Sequence, residues 1–158
     1  MIDNMTPDEV DEVLTRQKVA RIGCYDDGVT YVVPVMFVWH ERAIYAYTTE
    51  GQKITMLRRN PVACVEVDEY DENGSWKSVI IHGRYDELIG ERASDTLGLL
   101  SAKLSPPDNG APAPRDRGTG RVPVAFRIVA NEVTGRKVDR SLGDPRRGNP
   151  DQTPADPP

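Results

Sequence analysis

The sequence predicts a mainly β fold, a six-stranded antiparallel barrel with a few short helices, and three observations carry that prediction. Runs rich in β-branched and aromatic residues recur along the chain. Tight turns at Asp27-Gly28 and Asn73-Gly74 separate them. Segments at helical spacing are few and brief. A length of 158 residues with 38% hydrophobic content fills one modest core, so a single domain is expected over residues 1–139.

Thr6, Pro7 and Glu9 form a capping box with proline at the first helical position, and Val10, Val13 and Leu14 follow at helical spacing, which predicts a helix from Pro7 to about Gln17. Val19–Tyr25 and Thr30–Trp39 read as a hairpin joined at Asp26-Asp27-Gly28. His40, Glu41 and Arg42 turn the chain into a third strand, Ala43–Thr49, expected beside the second. Pro34 removes a ladder donor from the second strand, so it marks an edge or a bulge where the sheet opens.

Gly51 ends the third strand, and Lys53–Asn60 fits a short helix with Ile54 and Leu57 on one side. Asn60-Pro61 stops it. The strand Val62–Val67 follows, then the turn at Asp71–Gly74 and the strand Trp76–Leu88, with Val79, Ile81 and Tyr85 on one face and Ser78, Ile80, His82 and Arg84 on the other. Gly83 suggests a bulge there. Glu91–Leu104 reads as a helix with an Ala93, Leu97, Leu100, Leu104 stripe. Residues 105–121 lack periodicity and are rich in proline, which predicts a long flexible loop. The last strand is expected at Val122–Val133 with a turn at Thr134-Gly135, and residues 140–158, nearly devoid of apolar side chains, as a disordered tail.

Composition narrows function. A net charge of −5 and a pI near 5.1 argue against a general nucleic-acid or anionic-membrane binder. No apolar run approaches the ~20 residues of a membrane span, and the N-terminus lacks the regions of a signal peptide, so a cytoplasmic location is expected. Cys24 and Cys64 lie far apart in apolar runs and read as buried free thiols, and His40 and His82 add no ligand spacing, so no metal site is expected.

The chemistry concentrates in Tyr45–Asp68, where a strand end, a glycine break and a helix start succeed one another. A helix start presents unpaired N–H groups and the positive end of its dipole, which suits an anion. Thr48 and Thr49 add hydroxyls, Gly51 admits close approach, and Lys53 adds a full positive charge. That set matches a phosphomonoester, although a plain connector has the same outline. Arg58 and Arg59 read as a solvated helix face, with one of them reaching the phosphate as the alternative.

The ordered series YVVPVMFVW (31–39), IYAYTTEGQKITMLRRNPVACVEVD (44–68), WKSVIIHGRYDEL (76–88) and VAFRIVANEVTGRK (124–137) resembles the FMN-binding split β-barrel proteins, most closely the pyridoxamine 5′-phosphate oxidase-related flavin-nucleotide-binding branch. The resemblance spans residues 8–139. It implies a homodimer with FMN in clefts between the subunits. Tyr47, Thr48, Thr49, Gln52 and Lys53 fall where the family holds the ribityl phosphate, and Val33, Pro34 and Val35 fall where backbone groups line the isoalloxazine ring. Ser78, with Trp76 and Val79 beside it, falls on a strand of the family's cofactor pocket, and Arg136 or Lys137 adds positive charge nearby.

The chain also departs from its relatives. Its end, GRKVDRSLGD, lacks the Arg and His pair with which pyridoxamine phosphate oxidases hold substrate, and Tyr47 stands where the nitroimidazole-resistance branch has histidine. Trp76 is either a cover for the flavin or a cross-strand aromatic, Tyr47 either a hydrogen-bond donor or a strand aromatic, and His82 more a structural residue than a proton donor. The resemblance therefore implies an FMN-dependent oxidoreductase that passes electrons from a nicotinamide cofactor to a small acceptor, with no obligatory catalytic side chain assigned. A storage, carrier or sensing dimer is the alternative, and related split barrels take F420 or haem.

Overall fold

A computed structural model of the protein describes residues 1–104, 120 and 122–140. The expected loop at 105–121 and the tail beyond Arg140 therefore lie almost wholly outside the described residues. In chain order the elements are β1 (Asp3–Asn4), α1 (Pro7–Arg16), β2 (Val19–Asp26), β3 (Val29–His40), β4 (Ala43–Thr49), α2 (Gln52–Arg59), β5 (Val62–Tyr70), β6 (Trp76–Leu88), α3 (Glu91–Leu104) and β7 (Pro123–Val138). All strand pairs are antiparallel, in the order β1-β7-β4-β3-β2-β5-β6, and β6 pairs with β7 to close the barrel.

The expected six strands are present, and the two-residue β1 makes a seventh by pairing with Arg136 and Lys137 of β7. The expected turn at Thr134-Gly135 is absent, because β7 runs on to Val138 in register with β6. Gly135 serves a close approach instead: a Cβ there would stand 2.7 Å from Val10 Cγ2 and 2.9 Å from Met5 Cβ, so its lack of a side chain lets the start of α1 lie on the strand. Gly83 does mark a bulge, since the β6–β7 register shifts between His82 and Gly83.

Alternation along each strand sends one set of side chains inward. Ile22, Phe37, Ile44, Ala46, Val65, Val67, Val79, Ile81, Phe126 and Ile128 are fully buried in one core, to which α1 adds Val13 and Leu14 and α2 adds Ile54 and Leu57. The N-terminal end of α1 is fixed by the capping box read from the sequence, with Glu9 N–H donating to Thr6 Oγ1 and Thr6 N–H to Glu9 Oε2. On α3 the stripe differs from expectation: Thr96 and Leu100 are buried, while Ala93, Leu97 and Leu104 are half-buried. Thr96 tolerates burial because its hydroxyl donates to the Arg92 carbonyl one turn back.

The barrel carries a split. β3 and β4 pair only from Phe37–Ala46 to His40–Ala43, and β4 then continues along β7. Residues 29–36 of β3 stay paired with β2 on one edge and have no ladder partner on the other. Pro34 lies in this half, as its missing N–H predicts.

Candidate functional site

Continuing the β3–β4 register past its last pair would set Val35 across from Thr48, so the split is flanked by Val33, Pro34 and Val35 on one side and Tyr47, Thr48 and Thr49 on the other. At the end of β4 the chain passes through Glu50 and Gly51 into α2. Gly51 is the cap residue and offers no side-chain bond, so the first N–H groups of α2 carry no side-chain cap. Glu50 N–H donates to the Val122 carbonyl at 2.8 Å, which holds the turn against the strand beside it.

Lys53, on the first turn of α2, is half-buried. Its Nζ donates to Thr48 Oγ1 at 2.6 Å. Among the described residues it meets no carboxylate, and burial lowers its pKa from the ordinary lysine value, with the nearby Cys24 thiol acting weakly the other way. An ammonium in this position, next to a hydroxyl and an uncapped helix start, is a partly desolvated charge that no described carboxylate compensates. A bound anion would remove that cost.

Thr48 and Lys53 therefore come together as the sequence suggested, whereas Thr49 continues on the opposite side of the strand and Gln52 is exposed. Cys24 is the neighbour that sequence reading missed. Its buried class was expected, but only packing of α2 on β2 brings it beside Lys53, and burial raises its thiol pKa.

The residues of β6 are elsewhere. Ser78 and Trp76 project from the outer face at the end of β6 that pairs with Arg136 and Val138 of β7, while Thr48 pairs with Val124 at the other end of β7 and shares the inward side of β4 with Ile44 and Ala46. Ser78 Oγ lies 3.5 Å from Glu66 Oε1, and Arg21 bridges Glu66 and Asp68 at 2.9 and 2.8 Å. Trp76 lines a cavity of about 470 Å³ with Gln17, Glu69, Tyr70 and Lys137. Val79 faces inward at 0% exposure, so its side chain is part of the core and only its backbone is left to meet a ligand. Lys137 is already tied to Glu9 of α1, whereas Arg136 is exposed opposite Ser78. His82 is exposed, and Cys64 is half-buried on the outer face instead of buried as expected. No cluster of metal-ligating residues occurs among the described residues. No helix among them is long and apolar enough to cross a membrane.

An antiparallel barrel opened along one seam, with an uncapped helix start beside the opening, defines a split-barrel protein. The chain belongs to the pyridoxamine 5′-phosphate oxidase family, whose family model matches residues 6–137. An uncharacterized protein of Rhizobium meliloti strain 1021 is 29% identical over 139 residues, which is 84% of this chain and 92% of that one. A FAD-binding protein from Mesorhizobium loti, solved by crystallography, is 31% identical over 88% of this chain and 99% of its own, with a TM-score of 0.67. The FAD binding protein from Mycobacterium smegmatis shares the fold at 20% identity, over 87% of this chain and all of its own, with a TM-score of 0.63.

Proposed function

We propose that this protein binds FMN through the β4–α2 turn and works as a homodimeric oxidoreductase, taking electrons from a nicotinamide cofactor and passing them to a small acceptor. The observation that carries this reading is Lys53, a half-buried ammonium held by Thr48 with no carboxylate partner among the described residues, at an uncapped helix start beside an unpaired strand edge. Lys53, Thr48 and the first N–H groups of α2 would hold the phosphate. The unpaired edge of β3 at Val33, Pro34 and Val35 would offer backbone groups to the rim of the ring. When bound, the flavin supplies the electron-transfer chemistry itself. The protein's part is to bind, orient and shield it.

FAD, named for two of the structural relatives, is compatible with the same turn, because a lysine at a helix start also serves a pyrophosphate. Purifying the protein without added cofactor and identifying the co-purified molecule by mass spectrometry separates FMN from FAD, F420 or haem. Mixing the flavin-loaded protein with NADH or NADPH in a stopped-flow instrument is expected to bleach the flavin band. Absence of bleaching with both donors favours a carrier or sensor.

A second copy of the chain completes the reading. Trp76 and Ser78 stand on the outer face, away from Lys53, so they join the same ligand only if a neighbouring copy brings them. That outer face also exposes Val19, Val32 and Met36, the last two at 67% and 49%, with Val19 and Met36 directly paired. Met36→Glu is expected to convert the protein from dimer to monomer in sedimentation analysis and to lower flavin affinity with it. A wild-type protein that sediments as a monomer overturns the dimer.

A further inference from the structure

The phosphate turn contains one acid. Glu50 lies between Thr49 and Gly51, where a carboxylate would repel the anion that Lys53 and the helix start attract. Arg58, on the last turn of the same helix, takes both oxygens of that carboxylate, donating from Nη1 to Oε2 at 3.0 Å and from Nη2 to Oε1 at 2.7 Å. The same guanidinium donates to Glu87 of β6 at 2.8 and 2.7 Å, and Tyr85 donates its hydroxyl to Glu87 at 2.9 Å. Hydrogen bonding from Arg58 is the main cause that holds the Glu87 carboxyl below the usual carboxylate range.

Resting on the reading of this turn as the phosphate site, we propose that Arg58 is a positioning residue for flavin phosphate: it pairs with Glu50 and ties the turn to β6. Arg58 sits six positions after Gln52 and does not have to touch the ligand to act. Its effect runs through Glu50, which it neutralises and fixes in one geometry by a two-pronged bond. Without Arg58, the pair of glutamates carries two uncompensated negative charges where it now carries one. The cluster is partly exposed, with side-chain accessibilities of 42% for Arg58 and 35% for Glu50, so the effect is moderate and screened by salt.

The test compares FMN with riboflavin, which lacks the phosphate, by fluorescence titration of the full chain at low and high salt. Arg58→Met is expected to weaken FMN binding roughly three- to tenfold at low salt, less at high salt, and to leave riboflavin binding unchanged. Adding Glu50→Gln to it is expected to restore FMN affinity. Glu50→Gln alone, which keeps Arg58 on Glu87, is expected to bind FMN at least as tightly as wild type, and this arm stands even if Arg58→Met folds poorly. Equal loss for FMN and riboflavin, no rescue in the double variant, or weaker FMN binding by Glu50→Gln overturns the proposal. A wild-type protein that binds FMN no better than riboflavin overturns the phosphate site itself, and is recognised before any variant is made.

Discussion

Lys53→Met is expected to weaken FMN binding by about 1.5–3 kcal/mol, or roughly 10- to 150-fold in Kd, because a charge-assisted donor to the phosphate is lost while the aliphatic stem is kept. Stability in the absence of ligand is expected to move the opposite way. Burial lowers the Lys53 pKa in the folded state, so below that folded value the unfolded chain solvates the ammonium better than the native protein does. The penalty is fully present below the folded pKa and is relieved as pH rises from the folded pKa to the ordinary lysine value. Methionine removes the penalty, and thermal unfolding of the ligand-free variant should occur at or above the wild-type temperature. The pH profile of FMN affinity follows the same logic. Affinity should rise through the second phosphate ionisation near ~6 and fall again on the alkaline side as free Lys53 loses its proton. Unchanged FMN affinity in Lys53→Met would place the phosphate elsewhere.

Phe126→Ala is expected to destabilise the fold by about 3–5 kcal/mol, through lost burial and the cavity left behind. Phe126 is 0% exposed, pairs across strands with Ala46 and Glu87, and lies against Tyr85 with ring centroids 5.4 Å apart. It sits where β7 holds β4 and β6 together, so collapse around the gap is limited. Against a typical total of 5–15 kcal/mol, this leaves a marginal protein whose melting temperature falls by roughly 6–20 °C. Calorimetry of the ligand-free protein measures it, and a shift of only a degree or two would mean that the β7 core packs differently. Saturating FMN should recover part of the loss, since ligand that binds only the folded state stabilises it by mass action.

The elements themselves were legible in local chemistry. Thr6, Pro7 and Glu9 specify the start of α1, Asp27-Gly28 and Asn73-Gly74 specify their turns, and Gly83 specifies its bulge, because each constraint acts within a few residues. The inward face of β6 was equally plain, since the alternation of Val79, Ile81 and Tyr85 leaves only one way to bury them. The same alternation places the Val79 side chain in the core.

What the sequence alone determined was a barrel of antiparallel strands, a glycine-broken turn into a short helix, and a proline that marks an edge or a bulge in its strand. Each follows from short-range rules: side-chain period, capping, and the missing proline donor. Only the tertiary structure decided that β3 and β4 part company beyond the Phe37–Ala46 pair, that Lys53 lies half-buried against Thr48 and Cys24 with no carboxylate partner among the described residues, and that Arg58, though partly exposed, is bound to Glu50 and Glu87. Those facts depend on which strand lies beside which and on how deeply a helix settles on the sheet. Pairings between distant residues are fixed by the summed burial of the whole core, and no window of neighbouring residues contains them.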